Sequence, residues 1–370
     1  MSLSQRAVSK SVGLDRSEIL PQKNLLPEEI FAAAGLSEHE QPRKRRRVPK
    51  ILGGLALGIT LLYLGGDLAW EHYNHSGELA PFPAKCNDPP PSNTISEVTW
   101  NVKKLQSSQT RKLKLVYALE TQIHPYIANL QEVTYPAAKK IARTLNGQCI
   151  TVIYAEADTE VHNNIGNLGN AILIREKPDD IEVHSLPGTS YNDTLWRLAK
   201  SAWYGFGGVI SGKHNPWKRT DAAWQEKRVV ETVKFKVNID GHTEYMTSSN
   251  THITSTWDDS PLHYQQLGKT MHYVREDTSN NTTELISGDF NSPNHAIDPY
   301  FQENGFIPLV TGSTSPTGGT IDHIAYKNST NSSNTAPKLS YCQAYVLNKY
   351  LTDHKAEEVI CRLGGSAPKS

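Results

Sequence analysis

The sequence has no net charge. Its 38 basic and 38 acidic side chains cancel, so no global field announces a polyanionic partner. It has no glycine-rich phosphate loop of either familiar type, which excludes the loop that cradles nucleotide phosphates at a helix N-terminus. It is also poor in cysteine, with Cys86, Cys149, Cys342 and Cys361 alone in 370 residues. Four cysteines allow three complete pairings and spacing does not choose among them; one bridge with two free thiols is equally open.

What the chain does have is an uneven distribution of charge. Residues Pro42–Lys50 (PRKRRRVPK) hold six basic side chains and no acidic one, directly before the uncharged run Ile51–Gly66. A basic cluster alone fits a nuclear-localisation signal or the cytoplasmic flank of a membrane helix. The neighbouring apolar residues favour the second. Counted through Asp67 to Trp70, the segment 51–70 is about 20 residues, enough to cross a hydrocarbon core at ~1.5 Å per residue. Trp70 would anchor it at the far interface. A cleavable signal peptide fits less well, because its basic region would start some forty residues into the chain. The positive-inside rule then predicts a single-pass protein with a largely flexible cytoplasmic segment 1–50, a signal-anchor at 51–70 and everything beyond on the far side, periplasmic or extracytoplasmic. All four cysteines fall there, where an oxidising compartment permits disulfides.

Residues 71–93 are rich in Pro, Asn and His and read as a linker. From Thr94 the pattern alternates between strands and helices. Strands are expected at Ile95–Val102, Ile127–Leu130, Cys149–Ala155, Asn170–Arg175, Arg228–Val237, Tyr245–Thr251 and Glu284–Ser287. Later ones are expected near Thr320–Tyr326, Ala344–Leu347 and Glu358–Arg362. Helices are expected at Thr110–Ile123, after Thr134 (an N-cap followed by Pro136 in the first turn and closed by Asn146-Gly147), and around Leu267, Met271 and Val274. This order predicts mixed sheets covered by helices.

Several strand ends finish in polar residues of one chemical kind: Asn101 in TWN, Glu132 in NLQE, His252 in NTH, Asp289 and Asn291 in GDFNS, Asp322 in TIDH, and Asp353-His354 in TDH. Each alone is ordinary turn or capping chemistry. Together, carboxylates and amides are hard oxygen ligands suited to Mg²⁺ or Mn²⁺, while imidazoles near neutrality move protons. Hydrolysis of a phosphate ester needs both.

In this order the residues resemble the endonuclease/exonuclease/phosphatase superfamily, whose members have the deoxyribonuclease-I-like fold. The shared motifs are Trp100-Asn101, Gln131-Glu132, Gly169–Leu173, Asn250–His252, Gly288–Asn291, Asp322 and Asp353-His354. The resemblance implies a four-layer α/β sandwich of two mixed β-sheets flanked by helices over residues 94–363, followed by a flexible tail at 364–370. It implies a metal site of Asn101, Glu132 and Asp353, with Glu132 the principal ligand. It further implies that Asp322 fixes the His354 tautomer, and that His354 contacts the phosphate or takes a proton from water. Asp289 and Asn291 would orient water and phosphoryl group, and His252 would stabilise or protonate the opposite side. Asn170 and Arg228 are substrate-contact candidates. Two positions depart from the pattern: Lys355–Glu358 replaces a small apolar run, and Pro125-Tyr126 stands where relatives often keep Pro-Asp.

Between Gly188 and Arg228, the segment Thr189–Lys227 carries Trp196, Trp203, Trp217 and Trp224 interleaved with Arg197, Lys200, Lys213, Lys218 and Arg219. Such a mixture stacks on bases, grips a nucleic-acid backbone or rests on lipid headgroups; the plain alternative is a helix packed on the sheet. The resulting expectation is a membrane-tethered, divalent-metal-dependent phosphoesterase, most simply an endonuclease-like phosphodiesterase. A phospholipid or phosphoinositide phosphoesterase is the alternative within the fold, and a catalytically silent binding module is the alternative outside it.

Overall fold

In a computed structural model the described residues are 76–86, 93–160, 166–187, 228–239, 241–254, 260–277, 282–309, 312–315, 318–330, 337–347 and 352–364. The expected anchor 51–70, the segments 1–50 and 365–370 and all of 189–227 lie outside them. Among the described residues no helix is long and apolar enough to cross a membrane.

Thirteen described strands form two sheets. One has seven strands in the order β1-β4-β5-β3-β2-β13-β12, the other six in the order β10-β11-β9-β8-β7-β6. In the first, β1 is Gly77–Ala80, β2 Thr94–Leu105, β3 Ile127–Thr134, β4 Thr151–Glu160, β5 Gly166–Ile174, β12 Lys338–Val346 and β13 Glu357–Gly364. In the second, β6 is Asp180–Leu186, β7 Arg228–Ile239, β8 His242–His252, β9 Thr283–Asp289, β10 Ile307–Leu309 and β11 Asp322–Lys327. Both sheets are mixed: β2–β3 and β8–β9 are parallel, and the other pairs are antiparallel.

Helices cover the outer faces. Helix α1 (Thr110–Ala118, continued by a π-helical turn Leu119–Ile123) and α2 (Tyr135–Leu145) lie on the first sheet through Leu113, Val116, Ile141 and Leu145, which join its buried cluster. The Thr134 hydroxyl caps α2 by accepting from Ala137 N at 3.3 Å, and each buried Ile or Leu contributes about 2 kcal/mol. Helix α3 (Ser260–Asp277) buries Leu267, Met271 and Val274, and α4 (Asn294–Glu303) buries Ile297 and Phe301, against the second sheet. The four layers match the expected sandwich.

The space between the sheets changes character along the strands. At one end it is apolar, filled by Ile95, Ile127, Ile172, Phe235, Met246, Leu285, Ile324 and Val359. Side chains two residues apart on a strand share a face. On seven of those eight strands the next inward position is polar (Glu97, Asn129, Asn170, Ser248, Ser287, Asp322 and Glu357, all buried), while on β7 it is the apolar Val233. The polar groups continue to the strand ends, so the second layer of the interior leads directly to the site.

Four described elements escape the sequence pattern. β1 belongs to the stretch read as a linker, yet it pairs with β4, and Cys86 just beyond it is joined to Cys149. β6 (DIEVHSL) is a largely half-exposed edge strand with too many polar residues to alternate cleanly. β10 is three residues long and contains Pro308. Helix α4 carries Pro299 inside it, a residue that normally argues against a helix. The second disulfide joins Cys342 to Cys361, so all four cysteines are paired.

Candidate active site

Local irregularities aim the site residues. The β2–β3 register shifts between Asn101 and Leu105, and the β3–β5 register shifts between Leu130 and Val133. These bulges re-aim side chains where regular pairing would not. Glu132 has φ +56° and Asn291 φ +48°. Asparagine tolerates this left-handed backbone; glutamate does so at a cost of about 1 kcal/mol or more. Two motif glycines permit close approaches. A Cβ on Gly288 would stand 1.9 Å from Thr251 O, and one on Gly169 would stand 2.2 Å from Ala155 O and 2.8 Å from the Tyr154 ring.

The focus of the site is Asp289 Oδ2. It accepts a 2.9 Å hydrogen bond from Asn101 Nδ2 and lies 3.6 Å from His252 Nε2 and 3.7 Å from His354 Nε2. The other oxygen, Oδ1, accepts from Asn291 N at 2.9 Å. His354 Nδ1 sits 2.9 and 3.1 Å from the two oxygens of Asp322, the pairing expected for that histidine. Burial raises the Asp289 carboxyl to about 7 with help from Asp322, against the opposing pull of His354, Asn101 and Asn291 N. His354 moves up to about 10. Burial opposes its charge, but the hydrogen bond and charge of Asp322, with Asp289 and Asp353, outweigh it. His252 goes the other way, held well below its ordinary value by burial, then by Arg228 and His354. His354 is therefore the cationic imidazole and His252 the neutral one.

Arg228 Nη1 lies 2.7 Å from Nδ1 and 3.3 Å from Nε2 of His252. Two such similar distances put the guanidinium across the ring rather than in line with one nitrogen. Asn170 is buried and donates to Val229 O at 3.4 Å, which places it under the site and not on its surface. Asn291 Nδ2 donates to Ile253 O at 2.9 Å, holding the loop after β9 against the end of β8.

Asn101, Glu132 and Asp353 gather on the other flank. The Asn101 amide donates to Glu132 Oε1 at 3.1 Å as well as to Asp289, while its own oxygen accepts from Lys103 N at 2.8 Å. It therefore bridges the two carboxylates through nitrogen and turns its oxygen away from them. Thr352 Oγ1 donates to Asn101 O at 2.9 Å, fixing the segment that carries Asp353. Glu132 Oε2 and Asp353 Oδ1 are buried with no hydrogen-bond partner. Buried carboxylate oxygens are costly unless something positive meets them, so Glu132 and Asp353 fit a hard divalent cation. One compact group of three ligating side chains also occurs among the described residues, Asp289, Asp322 and His354, with atoms within 4.8 Å. Its members already satisfy one another through the His354–Asp322 pair, so proton handling accounts for it.

Two lysines were not anticipated. Lys103 Nζ pairs with Asp353 Oδ2. Half-buried Lys112 donates to Val102 O at 3.0 Å, its ammonium lowered by burial against the pull of Glu132 and Asp353. Neither has a sequence signal of its own, since their contact with the site depends on the left-handed turn at Lys103 and Lys104, with φ +48° and +53°.

Residues 98–354 match the Endonuclease/Exonuclease/phosphatase family. The chain belongs to that family. No curated protein matches the sequence at a significant level. Among solved structures, the endonuclease/exonuclease/phosphatase from Beutenbergia cavernae DSM 12333 is similar with a TM-score of 0.51 and 14% identity, over 74% of this chain and 72% of that one. D. rerio TDP2 complexed with a single-strand DNA product aligns with a TM-score of 0.49 and 12% identity, over 73% of this chain and 99% of that one. At such identities the first likeness speaks for the fold alone. The polar strand ends of this endonuclease/exonuclease/phosphatase chain thus converge at one end of a family fold.

Proposed function

We propose that this protein is a hydrolase of phosphate esters, acting as a phosphodiesterase with a divalent cation, Mg²⁺ or Mn²⁺, and tethered to a membrane by residues 51–70. The observation that carries the reading is the convergence of Asn101, His252 and His354 on one oxygen of Asp289. A bound cation would be held by Glu132 and Asp353, and would supply charge neutralisation for the phosphoryl oxygens.

The remaining chemistry belongs to the chain. Asp289 Oδ2 takes the proton of the attacking water, since a carboxylate raised toward neutrality is matched to that task. The charged His354, oriented by Asp322, donates from Nε2 to a phosphoryl oxygen. Neutral His252, kept so by burial and by the guanidinium of Arg228, offers a hydrogen bond from the opposite side. Asn101 holds Glu132 and Asp289 in fixed relation, coupling the cation flank to the proton flank. Two disulfides favour an oxidising compartment, which agrees with a domain on the far side of the membrane.

The test offers purified protein a phosphodiester, bis-p-nitrophenyl phosphate, and a monoester, p-nitrophenyl phosphate, with Mn²⁺ or Mg²⁺. Preferential release of nitrophenol from the diester supports the reading. Silence on both moves the protein to a binding role.

A further inference from the structure

The place where the chain joins the fold bears on its substrate. Gly77, Tyr154, Ala171, Leu130 and Trp100 are successive partners across five neighbouring strands. They form one transverse row, and Trp100 immediately precedes Asn101. The preceding residue, Ser76, accepts from Glu156 N at 3.1 Å, so the described chain begins at the catalytic end of the first sheet. It lies four strand spacings, about 19 Å, from Asn101. The junction is firm. β1 is paired along its length with β4, and the chain that follows is bound back to the sheet by the Cys86–Cys149 disulfide.

Only five residues, 71–75, separate Ser76 from the apolar segment 51–70. Fully extended they span at most about 17 Å. A second join occurs at the same end. Leu186 pairs with Arg228 across β6 and β7, and Arg228 lies on His252. The residues 188–227 between them carry four tryptophans and five cations between Trp196 and Trp224, a composition that suits lipid headgroups as well as bases. Two independent joins therefore meet at the catalytic end, one a short tether and the other rich in interfacial residues.

We propose that this hydrolase acts on the phosphoesters of lipid headgroups in the bilayer that anchors it, with its catalytic end turned toward that surface. The proposal rests on the tethered-hydrolase reading above and adds the substrate class. A short tether keeps the site within reach of headgroups at high local concentration, and a soluble polymer gains nothing from it.

The experiment reconstitutes the full chain in phosphatidylcholine vesicles containing phosphatidylglycerol. A fluorophore is placed on Ser108→Cys, at the exposed catalytic-end loop after β2, or on Lys177→Cys, exposed at the opposite end. A headgroup-attached quencher should quench position 108 several-fold more than position 177. Equal or reversed quenching overturns the orientation. In the same vesicles, headgroup release should accompany turnover of soluble bis-p-nitrophenyl phosphate. A flexible spacer of about 20 residues inserted before Ser76, spanning roughly 25 Å, should lower lipid turnover about tenfold and leave the soluble substrate unaffected. Soluble diester and single-stranded DNA cleaved with lipid left intact would overturn the lipid proposal and leave the hydrolase standing. Failure on the soluble diester as well would remove both.

Discussion

Replacing Glu97 by glutamine tests the polar layer between the sheets. Glu97 is fully buried, accepting from Ser248 Oγ at 2.7 Å and Asn129 Nδ2 at 3.2 Å. Burial raises its carboxyl from 4.5 to about 7, against the hydrogen bonds of Ser287, Ser248 and Asn129. A raised carboxyl binds its proton more tightly in the folded state. Its contribution is therefore fully present below the unfolded value and is lost as pH rises from 4.5 through about 7. That rise corresponds to about 3 kcal/mol, most of it lost between pH 5 and pH 8. Glutamine keeps the shape, accepts from Asn129 and donates to Ser248, but never ionises. Urea unfolding of both proteins near pH 5 and near pH 8 isolates the effect, because other titrating groups cancel in the double difference. Glu97→Gln should gain roughly 2–3 kcal/mol on wild type between the two conditions. The same pH dependence in both proteins would refute a buried, proton-retaining Glu97.

The other predictions concern the site and its frame. Glu132→Gln should weaken Mn²⁺ binding measured by calorimetry, with turnover partly restored by added metal. His354→Ala should lose about 10²–10⁴-fold in turnover with no such rescue. Gly288→Ala should destabilise the fold by about 3 kcal/mol or more in thermal unfolding, because the methyl group meets Thr251 O and the backbone there has φ +149°. Removing the Cys86–Cys149 bridge, which spans 63 residues, should cost about 4 kcal/mol by chain entropy, against about 3 kcal/mol for Cys342–Cys361, which spans 19. Denaturant titration of each double serine variant checks the order.

The polar strand ends were legible because each belongs to a short contiguous word, such as NTH or GDFNS, placed after an alternating strand. The His354–Asp322 pair follows from those words and the family likeness, whereas the placing of Asp289 Oδ2 beside both histidines emerges only in the fold. Lys103 and Lys112 were not legible, since only the folded turn at Lys103–Lys104 brings them to Asp353 and Glu132. The role of Asn101 was only half legible: its position was clear, but the direction of its amide depends on the Lys103 N–H that holds its oxygen. The inward polar positions Glu97, Asn129 and Ser248 fall inside strands that periodicity already read, and only the ends of those strands, such as Lys103–Leu105 and Gln131–Thr134, lay beyond the pattern. β1 was hidden because four residues with glycine and glutamate carry almost no pattern, and pairing with β4 supplies what the sequence lacks.

The most direct test of the account follows bis-p-nitrophenyl phosphate turnover by the full chain in excess chelator, then after Mn²⁺ is restored, beside Asp289→Asn. The account predicts no turnover in chelator, recovery with Mn²⁺, and an Asp289→Asn variant that stays inactive at every metal concentration while remaining folded. Full turnover in chelator, or by Asp289→Asn, would contradict it.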